Sequence, residues 1–140
     1  MTPHIRPRRP DWRRRLELYV AGAATATFAF GRHDCGLFAA GAIEAMTGHD
    51  PGAPYRGGYD TFKGALKRLR RKGHADHVAL ATSLFPEIAA AFARPGDLAA
   101  VGTQEGPALG IVQGEHIYLA GEAGLRLVPL TDAVCAWRIG

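Results

Sequence analysis

The chain is short of cysteine and of long apolar runs, and each shortage removes a class of protein. Two cysteines in 140 residues, Cys35 and Cys135, are too few for a disulfide framework. No apolar run approaches the roughly 18 residues that a membrane span needs. The first fifteen residues are rich in Arg and Pro and lead into no apolar stretch of the kind a secretory signal carries, so synthesis and reduced thiols in a cytoplasm are expected. Internal repeats are absent. So is any recognised nucleic-acid module to accompany the arginines at the start, which makes nucleic acid an unlikely partner.

What is present suits one domain. With 47% hydrophobic and 21% charged residues, 140 residues can bury a core without staples. The formal net charge of +4 hides a polarity: residues 1–75 carry 14 Lys/Arg against 6 Asp/Glu, and residues 76–140 carry 3 against 7. Residues 1–10 (MTPHIRPRRP) read as a basic extended arm, suited to lying along a neighbouring subunit, and residues 11–140 as the domain proper. On that reading, removing the arm leaves the stability of the domain unchanged.

Helical spacing predicts a first helix from an Asp11 cap to about residue 25, with Trp12, Leu16 and Val20 on one face. A second runs from Asp34 to Met46, capped by Asp34 and stopped by Gly48. A third is predicted over 59–72, and a short one near 86–93 with Pro86 in its first turn. After Arg94-Pro95-Gly96-Asp97 the character changes to short β-leaning runs at 98–101, 108–112, 116–120, 124–129 and 133–139, with Gly114-Glu115 as a hairpin turn. Helices first and a strand meander afterwards give an α+β domain, N-terminal helices packed on a small antiparallel β-sheet.

Cys35 opens the second helix, where the positive helix end favours thiolate, and Gly31, His33 and Asp34 directly precede it. Cys135 lies in an apolar run and reads as packing. From Phe30 to Phe38, through Arg94-Pro95-Gly96-Asp97-Leu98, to Leu109-Gly110-Ile111-Val112 and His116–Leu127, the chain resembles the NlpC family of cell-wall cysteine peptidases. That resemblance implies a reduced papain-like fold with Cys35 as candidate nucleophile. The small versions from tail modules of phages, prophages and gene-transfer particles are the nearest in pattern, through Asp11-Trp12, His33-Asp34-Cys35 and Gly124-Leu125 with Pro129-Leu130.

One departure changes the implied function. In active members a histidine opens the strand that reads His-x-Gly-Ile, and here that base position is occupied by Ala108. The register of the residue that orients the imidazole falls near Leu119. Two readings follow. The favoured one is a degenerate NlpC-like domain, a mainly structural component of a phage-type tail tip or baseplate, made in the bacterial host cytoplasm and carried in the virion. Its partners are other tail proteins, reached through the basic arm. The alternative is an active peptidoglycan-cleaving cysteine peptidase or amidase that assists cell-wall penetration, with Cys35 as nucleophile and His116, at the start of a strand, as an unusual base. Neither calls for a cofactor. His74 and His77 flank Asp76 without a third clear ligand, so no metal site is expected.

Overall fold

The computed structural model describes residues 6–140. Four helices, α1 (Trp12–Ala23), α2 (Cys35–Thr47), α3 (Phe62–Arg71) and α4 (His77–Leu84), precede the sheet. The strands are β1 (Glu87–Ile88), β2 (Leu98–Thr103), β3 (Gly106–Val112), β4 (His116–Gly121), β5 (Gly124–Pro129) and β6 (Ala133–Trp137). They form one antiparallel sheet in the order β1-β6-β2-β3-β4-β5. The α+β expectation, helices on a small antiparallel sheet, holds.

The sheet is covered on both faces. Leu98, Ala100, Leu109, Ile111, Ala120 and Trp137 turn toward α1 and α2, whose Leu16, Phe38, Ala42 and Met46 fill the space above them. Ala99, Val101, Val112, Ile117 and Ala136 turn the other way, under Ile88, Ala90, Ala93 and Leu130. Helix α2 is apolar nearly all round because it is the central helix, with eight of its residues buried. Its ends follow the sequence: the Asp34 carboxylate accepts the Leu37 N–H, and Gly48 closes it in the left-handed region at φ 82°.

Some local expectations fail for identifiable reasons. Asp11 precedes α1 but does not cap it, because its carboxylate is taken by Arg15 Nε at 2.8 Å. The segment near 86–93 is not a helix. The Pro86 carbonyl accepts the Arg138 N–H, β1 adds to β6, and only a 3-10 turn over Ala90–Phe92 remains. Helix α4 was not anticipated; Asp76 caps it by accepting the Ala79 N–H at 2.8 Å.

The arm also departs from expectation. Met1–Ile5 lie outside the described residues, but residues 6–10 run along the body. Arg8 donates Nε–H to the Ile139 carbonyl at 2.7 Å, Nη1–H to the Pro95 carbonyl at 2.8 Å and Nη2–H to the Asp97 carboxylate at 2.9 Å. The Arg9 N–H bonds the Met46 carbonyl at 2.7 Å. Asp97 itself is fully buried and also accepts the N–H groups of Arg94 (2.9 Å) and Ile139 (3.0 Å). Gly96 is needed beside it: at φ 91° a Cβ would also lie 2.6 Å from the Arg8 guanidinium. The arginine is therefore a structural clamp rather than part of a free arm.

Removing one partner of a buried charge pair leaves the other uncompensated. Asp97→Ala is expected to lower unfolding free energy by about 3–5 kcal/mol in urea titration. Deleting residues 1–10 is expected to lower the urea midpoint at least as far as Arg8→Ala does.

Candidate functional site

The site begins with a register. In the β2–β3 pair Val112 donates its N–H to the Asp97 carbonyl, and beyond β3 Gln113 donates to the His116 carbonyl, both at 2.8 Å. Hydrogen-bonded positions alternate along antiparallel strands. Ile111 and Leu109 therefore direct their main-chain groups toward β4. Ile111 finds Tyr118 there, but the β3–β4 ladder stops after that pair. Leu109 and its would-be partner Ala120 are parted. Between the start of β3 and the end of β4 the sheet opens into a cleft of about 410 Å³, walled by Ala108, Leu119, Ala120 and Gly121 on the strands and by Cys35, Tyr59 and His77 on the helical side.

The N-terminus of α2 sits at this opening. Asp34 is buried and fixes the approach: its carboxylate accepts the N–H groups of Gly31 (3.0 Å) and Leu37 (2.9 Å) and the Tyr59 hydroxyl (2.6 Å). Burial and this carboxylate together push the Tyr59 phenol well above its ordinary range. Gly31 has φ 83°, and a Cβ there would stand 1.9 Å from the Tyr59 carbonyl, so the turn before Cys35 accepts only glycine.

Cys35 is half-buried and lines the cleft. Burial pushes the thiol up; the Leu109 N–H pulls it down; the Asp34 charge pushes it up again; and the N–H groups of Gly36 and of Cys35 itself pull it down. The balance is upward, so the expectation of a thiol lowered by the helix end fails. The helix end acts as expected, and desolvation outweighs it.

The two registers named from sequence both reach the cleft, and both are apolar. Ala108 pairs with Val101 and shares its sheet face, away from α2, while Leu109 pairs with Ala100 and faces the helix. His116 is not at the site. It is exposed at the other end of β4, opposite Pro129, and the cleft begins three residues further on, about 10 Å along the strand. His33 closes a bridge with Ala29 and sets its ring edge-on to Phe38 at 6.2 Å. Cys135 is half-buried against the main core.

The histidine that does line the cleft is His77, the first residue of α4. Its Nε2 bonds the Pro107 carbonyl, and because a carbonyl only accepts, Nε2 carries the proton. Among the described residues no hydrogen bond joins His77 to the Cys35 sulfur. The signal for it was the Asp76 cap, which places the next residue at a helix end. Behind the cleft a second, apolar cavity of about 80 Å³ lies among α2, α3 and α4. No group of three or more His, Cys, Asp or Glu side chains among the described residues is placed to hold a metal ion.

Residues 7–139 match the family model described as a domain of unknown function, DUF6950. The chain belongs to that family. No curated protein matches it. In this DUF6950 domain the arrangement at Cys35 can present a neutral thiol to a bound ligand, but among the described residues no side-chain base is hydrogen-bonded to it to make the thiolate at neutral pH.

Alkylation of Cys35 by iodoacetamide is expected to be slower at pH 8 than that of a free thiol, its midpoint lying above the ordinary cysteine value. The sign for stability follows. Above the ordinary thiol value the unfolded chain loses the proton first, so stability falls with rising pH there, and Cys35→Ala is expected to flatten that fall in melting curves taken from pH 8 to 10.

Proposed function

We propose that this domain is a catalytically silent NlpC-like, papain-like fold that serves as a structural component of a phage-type tail tip or baseplate. One observation supports the silent half: Ala108 and Leu119, at the registers of the family's base and its orienting partner, are both apolar, and among the described residues no histidine is hydrogen-bonded to the thiol. Acyl transfer by a cysteine needs an imidazole to take the thiol proton and return it to the leaving amine. Loss of a member of such a unit costs several orders of magnitude in rate.

The tail assignment is supported by the resemblance of Asp11-Trp12, His33-Asp34-Cys35, Gly124-Leu125 and Pro129-Leu130 to the small tail-module versions of that fold. Other tail proteins are then its partners, and the virion is its destination after synthesis in the bacterial host. Among the described residues no helix is long and apolar enough to cross a membrane. A second reading is favoured by one residue: His77 on the cleft wall gives an active peptidoglycan peptidase or amidase a base candidate in place of the misplaced His116.

Zymography on purified peptidoglycan decides between them. The wild-type chain is expected to clear nothing, and Cys35→Ser particles are expected to remain infective. Clearing by wild type that is lost in both Cys35→Ala and His77→Ala would establish the enzyme and end the scaffold reading.

A further inference from the structure

The apolar cavity among α2, α3 and α4 adjoins the cleft. Gly36, Tyr59, Ala65, Leu69 and His77 line both, so the two spaces share a wall. Gly36, in the first turn of α2, leaves that wall open: beyond its own helix a Cβ there would meet only Asp34 Oδ1, at 3.7 Å. The two spaces differ in chemistry. Around the cavity only Tyr55, Tyr59 and His77 carry polar side-chain atoms, and the Tyr59 hydroxyl and His77 Nε2 are taken by Asp34 and the Pro107 carbonyl. The cleft adds the Cys35 thiol, Thr103, Glu105, Glu122 and Arg126.

An apolar void inside a domain is unfavourable. At about 80 Å³ this one is several times what a single water needs, yet its walls offer little to hydrogen-bond a water. Left empty, it forfeits packing contacts in proportion to its size, and folded domains hold few such voids. An apolar group seated there restores those contacts. Size narrows the group: a cavity of about 150 Å³ takes benzene, so about half that volume takes a small branched aliphatic group and not a ring. Charge narrows the rest of the ligand, because Glu105 and Glu122 line the cleft together with Arg126 and disfavour an anion.

We propose that cleft and cavity form one binding site for a small neutral organic ligand, its branched aliphatic end of about four carbons in the cavity and its polar end in the cleft beside Cys35. The cleft's volume of about 410 Å³ lies within the range of small-molecule sites, and such sites pair apolar walls with a few polar groups that fix orientation. The aliphatic end passes Gly36, where any longer side chain would narrow the way. Binding of this kind needs neither a thiolate nor a base. It therefore goes beyond the tail and peptidase readings and holds for a silent or an active cleft alike.

Titration of the full chain with primary amides, followed through the NMR shifts of the Gly36, Ala65 and His77 main-chain amides, tests it. Isovaleramide is expected to bind at least about tenfold more tightly than acetamide, since its isobutyl group buries three more carbons. Phenylacetamide, whose ring is too large for the cavity, is expected to bind no more tightly than acetamide. Gly36→Leu, whose Cβ meets only an ordinary contact, is expected to bring isovaleramide down to the acetamide level. Ala81→Val, which fills the cavity from α4, is expected to do the same and decides if the leucine variant fails to fold. Equal affinity for isovaleramide and acetamide, phenylacetamide binding as tightly as isovaleramide, or a preference for isovaleramide that survives in a folded variant would overturn the proposal.

Discussion

An ionised carboxylate survives in a protein interior only where donors replace the water it has given up. At Asp97 those donors arrive from the adjacent turn and from two distant parts of the chain. The Arg94 N–H comes from the preceding turn, the Ile139 N–H from the chain beyond β6, and the Arg8 guanidinium from the segment before α1. Arg138 adds a second positive charge at 3.5 Å. Because Asp97 is the residue before β2, its position fixes where the central strand enters the sheet. Everything that depends on the β2–β3 register, including the parting of β3 from β4, inherits that placement. The clamp is thus less a source of net stability than a device that makes one arrangement of both chain ends far better than the others.

The cleft is the second consequence of register. A sheet that stayed paired past Tyr118 would join Leu109 to Ala120 and leave no opening. Instead the N-terminus of α2 brings Cys35 to the opening. The burial it meets there keeps the proton on the thiol.

Features governed by neighbours in sequence were legible before any coordinates. The Asp34 cap, the Gly48 stop, the turn at Gly114-Glu115 and the five later strands all rest on local stereochemistry. What failed was set by partners far along the chain. Pro86-Glu87 has the look of a helix start, but the pairing of Pro86 with Arg138 overrides it. Arg8 reads as solvated among prolines and arginines because its carboxylate partner is 89 residues away. Helix α4 has only eight residues, and four of them, His77, Val78, Thr82 and Ser83, have little helical preference of their own. Of the candidate site, Gly31, Asp34 and Cys35 were legible as a unit. The position of the nearest histidine was not, because a strand shows which residues alternate but not which end of it meets a helix terminus.

The span of the Arg8 clamp has a bearing on how the molecule comes into being. Its bond to the Ile139 carbonyl joins positions 131 residues apart. A chain emerging from the ribosome therefore exposes Arg8 well before the Pro95 carbonyl, Asp97 and the Ile139 carbonyl that seat it. The helices can gather as they appear, but the clamp closes only once the segment beyond β6 has followed. Any change near Ile139 therefore acts on the segment before α1 as directly as on its own neighbourhood.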